Sequence, residues 1–442
     1  MIHSGDRREE DSMGSTESTS VVDAVRARLR TAHTLNTSMN CFITIDDDGA
    51  LAAAEAADER RNSGESRGPF DGAVVAVKDN LDTAGLPTTF GSKMYAGRVP
   101  EHDATAVKRL REAGAIVLGK TNMTEMACGT TGVNEHFGNC HNPLDSLRYP
   151  GGSSAGSAAA VGAGIVDFAI GTDTGCSIRH PASVCGVVGL KPTYDRVSRG
   201  GVSVCAERLD HVGPIASTVA GAAATLLALQ EPQHDDPARL IGAKDTRRVA
   251  LLGGEFLEAC APDVQRAFAN ASELLRRCGF DVGSLDLELD LAEIDDAAND
   301  LGADLFRLYG DDIAAAGAGG VGAELDGWNR LYVDVDEVRY QRALDLQEAA
   351  TSHVRAAMDG WDAAVCPTTR VGAGLLSEEA QEDRRMRMGN CSLWNMTGQP
   401  SITIPHGSSD AGMPLGLMIS GHHDADAVVL QIAATVEAVT RV

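Results

Sequence analysis

PGGSSAGSAAAVGAG at residues 150–164 and GTDTGCSIRHPASVCGVVGLKPT at residues 171–193 are dominated by Gly, Ala, Ser and Thr. Small residues let one backbone approach another, or a ligand, at short range, so the chemistry is expected in this stretch. Upstream, AVVAV at residues 73–77 is a short apolar run of strand type ending at Lys78. Clefts in α/β sheets open at the C-terminal ends of such strands.

Further out, the apolar spacing predicts helices over residues 21–35, 50–61 and 339–361. ATAVKRLREAG reads as a helix capped by Asp103 that stops at Gly114 and feeds the strand AIVLG. VALLG begins another strand after a connection at residues 231–248, and residues 262–278 read as one helix. Residues 285–327 have weak periodicity and support little beyond surface helices. AAVCP, SITIP and PLGLMIS are strand candidates that return the chain to the sheet. Residues 1–20, polar and charged, are expected to form a flexible tail.

Hydrophobic residues make up 43% of the 442-residue chain and aromatics only 4%, so the core must be built from Ala, Val, Leu and Ile. A net charge of -25 argues against direct binding to nucleic acid or to an anionic membrane surface. The ten cysteines are scattered without CxxC pairs and suit reduced thiols, and no stretch is long and apolar enough to span a membrane. A soluble, cytoplasmic protein is expected.

Two familiar patterns mislead. GAIVLGKT at residues 114–121 fits the Walker A expression, but its central residues read as a strand and not as a loop that points N–H groups inward. GSSAG at residues 152–156 fits G-x-S-x-G and would make Ser154 the nucleophile, yet a loop precedes it where a nucleophile elbow requires a strand. Cys128, Cys140, His136 and His141 lack zinc-site spacing, and no metal or other cofactor is expected. His422 and His423 read as part of a solvated loop.

Taken together, KDN at residues 78–80 and the two small-residue runs closely resemble the amidase signature family. The resemblance extends through LDTAGLPTTFGS, AGAIVLGKTNMTEMACG and, more loosely, TGQPSITIP, and so covers most of the chain. It implies a single α/β domain over residues 21–442, a central mixed sheet with helices on both faces. It also implies a catalytic triad of Lys78, Ser153 in a cis peptide, and the nucleophile Ser177. A serine hydroxyl needs a neighbour to remove its proton, and a lysine can do so only if burial holds it neutral.

Backbone N–H groups of Thr174, Gly175, Cys176 and Ser177 are the candidate oxyanion hole, where one donor is worth roughly 3 kcal/mol in catalysis. Ser154, Asp173 and Arg179 are expected to support the loop. Cys176 departs from the glycine usual before the nucleophile and is read as a pocket-lining residue, because no histidine is placed to activate its thiol. Ala155 is a milder departure. Substrate contacts are expected from residues 126–131 and from the segments around Trp328 and Trp394.

The expected activity is a stand-alone amidohydrolase acting on a small-molecule amide through an acyl-enzyme, with a homodimer left open. One alternative is the glutaminase subunit of a tRNA-dependent amidotransferase, whose sequences usually carry an aspartate seven residues before the Asn of an NLAGLP-like segment. Here that segment is NMTGQP at residues 395–400, and the position holds Met388. The other alternative is a non-catalytic binding protein on the same fold.

Overall fold

The computed structural model describes residues 20–231, 247–381 and 383–440. The expected tail lies outside them apart from Ser20, and so does most of the connection at residues 231–248. Ser20 is the N-cap of the helix Val21–Met39, its hydroxyl accepting from the Asp23 N–H.

One sheet organises the fold. Its strands are β1 (Phe42–Ile45), β2 (Val74–Lys78), β3 (Ile116–Thr121), β4 (Phe168–Asp173), β5 (Val188–Lys191), β6 (His211–Ala216), β7 (Arg248–Leu252), β8 (Asp281–Leu285), β9 (Ala363–Pro367), β10 (Ser401–Ser408) and β11 (Pro414–Gly421). They lie in the order β1-β3-β2-β4-β6-β5-β10-β11-β9-β7-β8. The groups β3-β2-β4 and β9-β7-β8 are parallel, and the remaining pairings are antiparallel. The result is the single-domain mixed α/β architecture that the resemblance implies.

Central strands are apolar on both faces, as strands sandwiched between helices must be. Val75, Val77, Val117 and Ile170 pack on one side with residues of the helices Thr105–Glu112, Val219–Leu229 and Asp426–Thr440. Their neighbours Val74, Ala76, Ile116, Leu118 and Ala169 pack on the other, with the helices Val21–Met39, Asp47–Ser63, Ala155–Gly162 and Arg179–Cys185. The small-residue run allows this closeness. A Cβ on Gly156 would come within 2.2 Å of the Cys41 carbonyl oxygen and 2.6 Å of the Asn122 nitrogen.

Several local expectations are corrected. Asp103 does not cap the helix Thr105–Glu112, which has no side-chain cap. Its carboxylate accepts from the Ala84 N–H and pairs with Arg111, so it ties the preceding loop down instead. Residues 262–278 form two helices, Pro262–Phe268 and Ala271–Arg277. The helices expected over residues 285–327 are present: Leu291–Leu301, Asp304–Ala316 and Ala323–Tyr332. Each is amphipathic by itself, and the turns between them interrupt the pattern when the region is read as one. His422 is half-buried, with Nε2 2.7 Å from the Trp361 carbonyl oxygen, while His423 is exposed.

Candidate active site

Lys78 ends β2 and is fully buried. Its Nζ donates to Ser153 Oγ at 2.7 Å and to Thr172 Oγ1 at 2.8 Å. Burial pulls this ammonium down to about 7, against the opposing pull of surrounding acidic groups that include Asp210 and Asp173. Thr172, near the end of β4, also accepts from Asn80 Nδ2 at 3.0 Å, so one hydroxyl holds two residues of the KDN segment.

The Gly152–Ser153 peptide is cis. Ser154, the next residue, sits at the start of the helix Ala155–Gly162 and donates its Oγ to the Thr172 carbonyl at 3.1 Å. Its N–H donates to the Ser177 carbonyl at 3.2 Å. Ser154 therefore ties the two serine loops together, with its own hydroxyl engaged.

Ser177 lies between β4 and the helix Arg179–Cys185, in a turn anchored by an ion pair. Arg179 donates from Nε and Nη2 to the two Asp173 oxygens, each at 2.9 Å, and both side chains are buried. Asp173 also accepts from the N–H groups of Ile178 and Arg179. Burial alone would push this carboxyl up, but Arg179 and these donors outweigh it and hold it well below the usual carboxylate range. Asn395 completes the lock from far along the chain: its Nδ2 donates to the Asp173 carbonyl at 2.8 Å, and its Oδ1 accepts from Arg179.

The N–H groups of Gly175, Cys176 and Ser177 meet no acceptor among the described residues. Thr174 donates its hydroxyl to Asp210 at 2.6 Å, fixing the start of the turn. Burial raises the Asp210 carboxyl to about 6, against the donors that Thr174, Cys205 and Ala206 supply. Cys176 is buried, and burial raises its thiol well above the ordinary range, so it is neutral and a poor nucleophile.

Thr174, Gly175, Cys176 and Ser177 open on a cleft. Residues 127–130, Phe306, Trp328, Arg384 and Met388 also line it. Trp328 and part of the 126–131 segment are thus where the sequence places them. Trp394 is not: it is fully buried in the packing core and absent from the cleft wall.

The misleading motifs resolve in the same structure. Ile116–Thr121 is the buried strand β3, and Lys120 points inward to the Leu81 carbonyl at 2.6 Å and Thr88 Oγ1 at 2.7 Å. Among the described residues, no group of three or more His, Cys, Asp or Glu could hold a metal ion. No helix among them is long and apolar enough to cross a membrane. Sequence reasoning missed Thr172, Asp210 and the lock made by Asn395. Thr172 and Asn395 lie within the GTDTGCS and NMTGQP segments, yet nothing local distinguishes a buried tether from a turn residue.

Comparison with known proteins agrees with this architecture. The chain is 36% identical to the A-type subunit of the glutamyl-tRNA(Gln) amidotransferase of Acidothermus cellulolyticus, over 96% of this chain and 92% of that one. It is 35% identical to the corresponding subunit of Myxococcus xanthus, over 94% and 93%. Among solved structures, the native peptide amidase of Stenotrophomonas maltophilia superposes with a TM-score of 0.81 at 29% identity, covering 96% and 94% of the two chains. A 6-aminohexanoate cyclic dimer hydrolase does so with 0.84 at 27% identity, covering 95% and 93%. Residues 23–430 match the Amidase family, to which this chain belongs.

Proposed function

We propose that this chain is a stand-alone amidohydrolase in which Ser177 is the nucleophile, Ser153 the proton relay and Lys78 the base. Ser177 Oγ bonds to the amide carbon as its proton passes to Ser153, whose own proton passes to Lys78. The carbonyl oxygen, now negative, takes the unpaired N–H groups of residues 175–177. The C–N bond then breaks, the amine leaves with a proton returned through Ser153, and water cleaves the ester by the reverse route. The observation that carries the reading is the fully buried Lys78 Nζ at 2.7 Å from Ser153 Oγ, behind a cleft that Ser177 lines.

Identity to these amidotransferase subunits supports a second reading, a glutaminase that works within a complex. Against it stands Met388, a cleft residue at the position where those subunits usually carry an aspartate for the substrate's amino group. A Cβ on Gly175 would come within 3.0 Å of the Met388 methyl carbon, so an apolar group faces the nucleophile turn there. Assaying the purified chain alone against aliphatic, aryl, urea-type and peptide amides, with glutamine as a further arm, separates the two. Turnover of glutamine only, and only with added partner subunits, would overturn the stand-alone reading.

A further inference from the structure

Arg384 begins the short helix Arg384–Met388 on the wall of the cleft that Ser177 lines. Its guanidinium stacks 3.9 Å from the Trp328 ring centroid, and Nη1 donates to Asn299 Oδ1 at 3.3 Å. Its Nε is buried and has no hydrogen-bond partner among the described residues.

Nearby arginines are paired differently: Arg385 with Asp296 at 2.7 Å, Arg339 with Asp300 at 2.6 Å, and Arg370 with Glu255 at 3.1 Å. Among the described residues Arg384 forms no ion pair. Burial pulls its guanidinium down, and Cys176, Glu324 and Asp295 act on it only across a gap. Arg384 is half-buried, and its buried Nε–H is unfavourable until an acceptor meets it.

The remainder of that wall is largely apolar, with Ala298, Phe306 and Met388, so an anionic ligand group would find its partners at Arg384 and Asn299. The net charge of -25 gives no long-range attraction for such a ligand, which places its recognition in local contacts. A planar guanidinium held over an indole can offer two parallel bonds to a carboxylate.

We propose that Arg384, with Asn299, forms a carboxylate-binding subsite, and that the amide taken by this cleft carries a carboxylate away from the scissile bond, as a dicarboxylic acid half-amide does. The proposal rests on the hydrolase reading of Ser177 and names its substrate class. It also fits Met388, which puts an apolar side chain on the cleft wall where an acidic one would repel a carboxylate.

The test is calorimetric binding to the Ser177→Ala chain, which cannot turn over substrate. The probes are succinamate, glutaramate and adipamate, each against the neutral amide with a methyl in place of the carboxylate. At least one half-amide is expected to bind roughly tenfold to a hundredfold more tightly than its neutral counterpart. Adding Arg384→Met, which keeps an apolar stem over Trp328, should collapse that ratio, and Arg384→Lys should keep part of it. Equal binding of charged and neutral probes, or a ratio that survives Arg384→Met, overturns the proposal; the first of these needs no Arg384 variant to fold.

Wild-type turnover is the separate arm. Binding discrimination without hydrolysis of any amide defeats the hydrolase reading and leaves the subsite standing. Hydrolysis without discrimination does the reverse.

Discussion

Lys78 can accept a proton only when neutral, and with its ammonium pulled to about 7 it is protonated below that pH and neutral above it. Turnover is therefore expected to rise through pH 7 and level off above. Lys78→Arg should lower kcat by about 10²-fold or more and remove the rising limb, because a guanidinium stays protonated throughout. Wild-type rates in that variant across the pH range would make Lys78 a structural cation. Covalent labelling by a serine-directed phosphonylating probe should vanish in Ser177→Ala and persist in Ser154→Ala, whose hydroxyl is engaged by the Thr172 carbonyl. The opposite pattern would return the nucleophile to the G-x-S-x-G motif. Cys176→Gly keeps every backbone donor and should retain hydrolysis with altered substrate preference, as read from kcat/KM over the amide panel.

At the scale of elements, the turn between β4 and the helix Arg179–Cys185 depends on a buried charge pair held by Asn395. Breaking such a pair from one side leaves an uncompensated charge and costs about 3–5 kcal/mol. Asp173→Asn and Arg179→Met should each show a loss of that size in denaturant unfolding, and the double variant less than their sum. Losses below about 1 kcal/mol would mean the turn is held by its backbone bonds alone. Thr172 belongs to the same level, since its hydroxyl accepts from Nζ and so favours the ammonium. Thr172→Val should move the rising limb of the pH profile to lower pH.

For the whole molecule, the eleven-stranded sheet buries Lys78 under helices on both faces, and the cleft is closed by helices from the second half of the chain. Trp394 joins these parts: it is fully buried in the cluster that also contains Cys176, Met388 and Leu301. Trp394→Ala should cost roughly 3–5 kcal/mol through the cavity it leaves, measured as a shift in the unfolding midpoint. A neutral result would show that this packing does not support the cleft.

The sequence by itself was enough for the family, the mixed α/β class, and the three residues proposed for catalysis. They come through the resemblance that KDN and the two small-residue runs carry, because those motifs are contiguous in the chain and can be matched without knowing the fold. What it could not decide depends on contacts between distant segments. The helices Leu291–Leu301, Asp304–Ala316 and Ala323–Tyr332 are each amphipathic, but they are short and separated by turns, so no single periodicity runs through the region. Asp103 reads as a cap until Arg111 and the Ala84 N–H claim its carboxylate. Trp394 and Trp328 look alike as pocket aromatics, and only the tertiary structure buries one and sets the other beneath Arg384. The position of Arg384 in the cleft, without an ion pair among the described residues, exists only once the fold has assigned nearby carboxylates to other arginines.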